Sequence, residues 1–286
     1  MRAQEEADGL SVRFWGVRGS AVTPGESTLQ FGGNTACIEL KAGPRRLIFD
    51  AGSGIAALGE AMRTEPPQPI DLLLSHLHHD HIQGLFFFPP LYVGGNDITI
   101  YCGNRGGESA EAALRRCYSP PLFPIGFDQV AARVRFVGFQ AGETLDLGGL
   151  RVRTHPLRHP GGATGYRVDH GGRAVAILTD LEHDGPTPDP ELVAFAAGVD
   201  LIAYDAMYDE ADYPNFRGWG HSTPQMGAAL ARAAGADRLA CIHHAPQYDD
   251  ARLASMDRTL AASFKGGFLA REGAVVALPA RDPVAG

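Results

Sequence analysis

The stretch that most constrains this 286-residue chain is an apolar run, Ile70 to Leu74, that passes straight into Ser75-His76-Leu77-His78-His79-Asp80-His81. Interrupted only by Asp71, the run predicts a strand buried on both faces. Where such a strand ends, His76 and His78, two residues apart, project to the same side. Asp80 and His81 follow at the turn into the next element and approach from another direction. Imidazole and carboxylate suit zinc, with iron or manganese as alternatives. The bland alternative is a polar turn rich in histidine. His79 is read differently from its neighbours, as an outward-facing or supporting residue.

Around this motif the composition is that of an ordinary globular chain, with 44% hydrophobic and 20% charged residues. Strands are expected at residues 11–15, 35–40, 46–49, 98–102, 134–139, 150–154, 165–168, 174–178 and 201–204. Helices are expected at 55–63, 108–118, 191–197, 223–234 and 250–264. The two halves repeat a strand-then-helix order loosely, without a linker, which predicts one α/β domain of two stacked sheets flanked by helices over residues 11–286. Residues 1–10 are polar and expected to be loose. No run approaches the roughly 20 apolar residues of a membrane span, and the start carries no secretory pattern, so a cytoplasmic protein is expected. Cys37, Cys102, Cys117 and Cys241 are scattered and read as reduced thiols rather than a disulfide framework.

The motif resembles the HxHxDH signature of the metallo-β-lactamase superfamily, and later landmarks resemble its ribonuclease Z-like, phosphodiesterase branch. These are RHPGGATGYRV with His159, ILTDLEH with Asp180, LACIHHAPQYDD with His243, and DLIAYDAMYD followed by GWGHST with His221. The resemblance runs from about Arg13 to Asp250 and implies the αββα fold. It also implies that His76, His78 and His159 hold one divalent ion and that Asp80, His81 and His243 hold another. Asp180 and a water would bridge the two, and zinc is the first choice of metal. His244 competes with His243, and His155 with His159. Asp80, counted also as a ligand, and His221 are the catalytic candidates. His221 would protonate the leaving oxygen, against the plainer reading of a neighbour to a helix cap formed by Ser222 or Thr223. Asp205 is a candidate to orient a ligand histidine. Phe86 and Trp219 are candidates to touch substrate, with core packing as the alternative for each. Arg18 and Asn34 are further candidates to meet a phosphate.

Two divalent ions bring four positive charges, of which Asp80, Asp180 and a bridging hydroxide remove three, leaving about +1 and favouring an anionic substrate. The net charge of −8 and the scarcity of Lys argue against a long nucleic acid as partner. Ribonuclease Z enzymes carry an arm for transfer RNA between the third histidine and the bridging aspartate, and here only residues 160–179 lie between them. The expected substrate is therefore a small phosphodiester: a cyclic nucleotide, a cyclic phosphate or a short nucleotide diester. Three other readings stay open: thioester or lactone hydrolysis on the same fold, a mononuclear iron oxygenase, and a non-catalytic sensing or scaffold module. No membrane partner is expected. A homodimer stays open, since relatives are often dimeric.

Overall fold

A computed structural model describes residues 9–103 and 108–281. Fourteen strands form two seven-stranded sheets among the described residues. In the first half these are β1 (Leu10–Gly16), β2 (Cys37–Ala42), β3 (Arg45–Phe49), β4 (Pro69–Leu74), β5 (Asp97–Gly103) and β6 (Arg133–Phe139). The second half contributes β7 (Thr144–Leu147), β8 (Leu150–Leu157), β9 (Ala163–His170), β10 (Arg173–Leu178), β11 (Leu201–Asp205), β12 (Arg238–Ile242) and β13 (Gly267–Leu269). The last strand, β14 (Val275–Leu278), returns to pair with β1, giving the orders β14-β1-β2-β3-β4-β5-β6 and β13-β12-β11-β10-β9-β8-β7.

The apolar pattern of β4 explains its place. Leu73 faces the layer between the sheets, beside Phe49 and Ile177. Ile70, Leu72 and Leu74 face the other way, against a helical layer. That layer holds α1 (Ile55–Ala61), the single turn α2 (His79–Ile82) and α3 (Ala110–Cys117). On the far side of the second sheet lie α4 (Pro190–Phe195), α5 (Pro224–Ala234) and α6 (Asp250–Ser263), packed on Ile202, Tyr204 and Leu239. Three apolar layers thus alternate with two sheets, and burying each Leu or Ile contributes about 1.5–3 kcal/mol. This is the αββα sandwich expected from the sequence.

Strands β3 to β6 run parallel, as do β10 to β13. Their carboxyl ends therefore gather at one rim, the usual place for a site in open α/β sheets. The strands missing from the expected list were β7, β12, β13 and β14, of which β12 was implied only by the resemblance, as the apolar strand before His243. For β7 a signal existed: Gly148-Gly149 joins it to β8 in a two-residue hairpin with both φ angles positive, 67° and 95°. Of the N-terminal segment expected to be loose, residues 1–8 lie outside the described residues, while Leu10 is buried and already paired in β1. The four cysteines are free thiols, and no described helix is long and apolar enough to cross a membrane.

Candidate metal centre

Strand ends supply nearly every side chain of the site. His76 follows β4, and His78 precedes α2, which presents Asp80 and His81. His159 follows β8, Asp180 follows β10, Asp205 closes β11 and His243 follows β12. Four described non-glycine residues have positive φ, and all four touch this rim: Ser20 (60°), Asp50 (62°), Asp180 (57°) and His243 (63°). Each such conformation costs on the order of 1–3 kcal/mol and persists where the surroundings over-determine it. At Asp180 and His243 it turns a side chain at a strand end back toward the rim.

Seven ligand-type side chains converge. His76, His78 and His159 form one group, and Asp80, His81 and His243 a second. Asp180, 1% exposed, sits between them: Oδ1 lies 3.4 Å from His243 Nε2, 3.7 Å from His159 Nε2 and 3.9 Å from His76 Nε2. Its Oδ2 lies 3.2 Å from His81 Nε2. His159 Nε2 stands 3.0 Å from His78 Nδ1, and His81 Nε2 stands 3.3 Å from His243 Nε2.

The donor chemistry fits a cation at the centre. His159 donates its Nδ1 proton to the Gly220 carbonyl (2.9 Å), and His81 donates its Nδ1 proton to Asp50 (2.9 Å). In the neutral rings both Nε2 lone pairs then point inward, and His76 Nε2 is buried without a hydrogen-bond partner among the described residues. Zinc–nitrogen bonds of about 2.0–2.1 Å place two ligand atoms of a tetrahedral ion roughly 3.3 Å apart, close to the separations seen.

Electrostatics agree. Burial pushes the His81 imidazole down, but the carboxylates of Asp180, Asp50 and Asp80 overcome this and hold it well above its usual range. His243 is likewise lowered by burial, yet raised to about 9 overall, Asp180 being the leading opposing charge. Burial alone would raise the carboxyls of Asp80 and Asp180, but the surrounding histidines keep both below the carboxylate range. His76, farther from those carboxylates, is lowered by burial. The site is built to stabilise positive charge between its carboxylates.

Beside this cluster, His221 is 7% exposed and donates its Nδ1 proton to Asp205 Oδ2 at 2.8 Å. Asp205 is fixed in turn by the backbone N–H groups of Leu181 and Met207. Thr223 caps α5 by accepting from Met226 N, with Pro224 next, so the cap holds the chain while His221 turns to the site. Asp205 was expected to orient a ligand histidine; instead it orients His221.

The structure also places the remaining candidates. His244 does not face the cluster: it is fully buried, donates from Nε2 to Ala270 O (2.9 Å), and packs edge-on against Phe31. Burial drives its pKa down to about 3. Phe86 is core, stacked on Tyr118 at 4.2 Å between ring centroids. Arg18 is fully buried and donates to the carbonyls of Gly32, Ala245 and Tyr248, which leaves it no path to a phosphate. Asn34 is tied to Glu272 and Ser53. Trp219 is 60% exposed and meets Phe216 edge-on, one residue from the Gly220 that holds His159. His155 stacks on Phe195, outside the cluster that contains His159.

Sequence reasoning missed Asp50, which accepts from His81 and from both the N–H and hydroxyl of Ser75. It also missed Ser20, whose N–H donates to Asp80 Oδ2 at 2.7 Å. An aspartate just past an apolar strand was the available signal for Asp50; Ser20 offered none.

A cleft of about 500 Å³ opens onto His76 and His78, with Leu77, Ile82, Leu114 and Leu122 among its apolar walls. Between β8 and β10 the chain makes only the His159–Gly162 turn and β9 before returning to Asp180.

A family model described as "Beta-lactamase superfamily domain" matches residues 45–244. Ribonuclease BN of Escherichia coli O1:K1 / APEC is 26% identical over 282 residues, covering 81% of this chain and 88% of that protein. A solved diphosphatase from the PhnP family aligns with a TM-score of 0.71 at 19% identity, over 95% of this chain and 98% of that one. Human tRNase Z, short form, aligns at 0.67 and 22% identity, over 94% and 99%. These two likenesses establish the shared fold.

Proposed function

The chain belongs to the metallo-β-lactamase superfamily, and from that premise we propose that it is a binuclear metal-dependent hydrolase of a small phosphodiester. The observation that carries this reading is the Asp205–His221 pair, a positioned imidazole that stands beside the ligand cluster. In the proposed assignment His76, His78 and His159 would hold one ion, Asp80, His81 and His243 would hold the second, and Asp180 would be shared between them. When bound, two divalent ions, with zinc the first choice, supply positive charge to phosphoryl oxygens and lower the pKa of the attacking water.

The chain's own residues account for the rest. Asp205 accepts the Nδ1–H of His221 in a hydrogen bond, so in the imidazolium form the second proton sits on Nε2, the nitrogen that gives it to the leaving oxygen and returns to the neutral ring. A thiolate leaving group would need no such donor, which favours an oxygen ester. The cleft volume suits a single small ligand, and its apolar walls would shelter an uncharged part of the ester. The direct return from His159 to Asp180 leaves no room for an arm of the kind that grips transfer RNA, and the acidic net charge argues the same way. The name of the Escherichia coli relative is compatible with diester cleavage as the shared chemistry.

The test is a side-by-side assay of one metal-loaded sample on bis-p-nitrophenyl phosphate, a cyclic nucleotide and a thioester. The reading expects diester turnover well above thioester turnover. Thioester hydrolysis alone would overturn it in favour of the thioesterase branch.

A further inference from the structure

We propose that Glu182 is a positioning residue that locks the third histidine of the cluster and the acid His221 into one rigid unit. This rests on the metal-centre reading above. Glu182 lies two residues past Asp180. Its own N–H donates to Arg158 O at 2.9 Å, tying it to the segment that carries His159. Its carboxylate collects donors from a third segment: Oε1 accepts from Gly218 N (2.7 Å) and the Tyr213 hydroxyl (3.1 Å), and Oε2 accepts from Gly218 N and Gly220 N (both 2.9 Å).

The Gly218–Gly220 segment needs such an anchor. Both glycines have positive φ, 86° and 87°. Gly220 is pressed so close to Pro160 and His159 that a methyl group there would collide with both. Its carbonyl accepts the His159 Nδ1 proton, which aims Nε2 inward, and the next residue is His221. One carboxylate therefore links the loops that carry His159, Asp180 and His221. Charge-assisted bonds from N–H groups to a carboxylate are the stronger kind. Glutamine would place an NH₂ where an acceptor is required, while aspartate keeps two acceptors on a shorter stem.

The experiment measures zinc binding to the chelated protein by competition with a chromophoric chelator, for wild type, Glu182→Gln, Glu182→Asp and Tyr213→Phe. Thermal unfolding of the metal-free forms is followed in parallel. Glu182→Gln is expected to weaken the tighter or the weaker zinc step by about 10–100-fold, the range seen when partners behind a metal ligand are removed. Glu182→Asp should recover part of the loss, and Tyr213→Phe, which leaves the glycine bonds intact, should change it less than about threefold. At saturating zinc, diesterase kcat should stay below wild type with KM little changed. Wild-type zinc affinity in Glu182→Gln would overturn the proposal, as would equal weakening in Tyr213→Phe. Should Glu182→Gln fail to fold, Glu182→Asp against Tyr213→Phe decides it in the same way. The zinc readout stands without any assay of turnover, so absence of diesterase activity would count against the functional reading and not against Glu182.

Discussion

His221→Ala is expected to lower kcat on a diester with an alkoxide leaving group by about 10²–10⁴-fold, and on bis-p-nitrophenyl phosphate by less, while leaving the metal content unchanged. The magnitude is that of a general acid removed from its place. His221 is not among the seven side chains assigned as ligands, and its Nδ1 is committed to Asp205. Its loss should therefore slow proton donation without emptying the metal centre. The size of the effect should depend on the leaving group. A nitrophenolate leaves readily unprotonated, so a diester with an alkoxide leaving group should suffer more. Unchanged turnover on both diesters would remove His221 from the reaction. A parallel loss of metal would make it a ligand, a role open to it geometrically because its ring nitrogen lies within reach of Asp180, Asp205 and His243.

Asp180→Asn is expected to reduce the bound metal from about two ions per chain to one or fewer, with a fall in diesterase kcat of about 10³-fold or more. The substitution keeps shape and volume, so the fold should survive, as circular dichroism would report. The change is in charge and in donor sense. Asp180 lies within 3.9 Å of ring nitrogens on His76, His81, His159 and His243. An amide there removes the negative charge nearest the centre and turns an N–H group toward nitrogen lone pairs. Losing the charge that an ion supplies to the transition state costs several kcal/mol, and about 4 kcal/mol corresponds to a thousandfold. Elemental analysis of the purified variant checks the metal. Two ions per chain retained would show that Asp180 is not the shared ligand.

How much of this could be read from the sequence follows from the range of the interactions. The segment from His76 to His81 was legible because its geometry is local: a buried strand, a turn and a two-residue spacing fix which side chains share a face. His159, Asp180, His221 and His243 lie far apart along the chain. They were reached through the resemblance, and no periodicity in the sequence brings them together. His243 was preferred to His244 through the resemblance; in the structure His243 has a positive φ and joins the cluster, while His244 turns to the Ala270 carbonyl. Asp50 and Glu182 stayed hidden because an acidic residue beside a strand end is ordinary until its partners are known. Arg18 misled in the opposite direction: near a proposed anion site an arginine suggests phosphate, yet this one is fully buried and turns Nε and one terminal nitrogen to backbone carbonyls. In the fold, long apolar strands were legible, whereas β13 and β14 are too short to carry a pattern.

Whether two ions act together in one site is decided by a metal titration. The chelated protein is titrated with zinc while diesterase activity is read at each addition. Activity should climb to a plateau at about two ions per chain and stay low at one. Full activity at a single ion per chain, or activity unaffected by chelation, would contradict it.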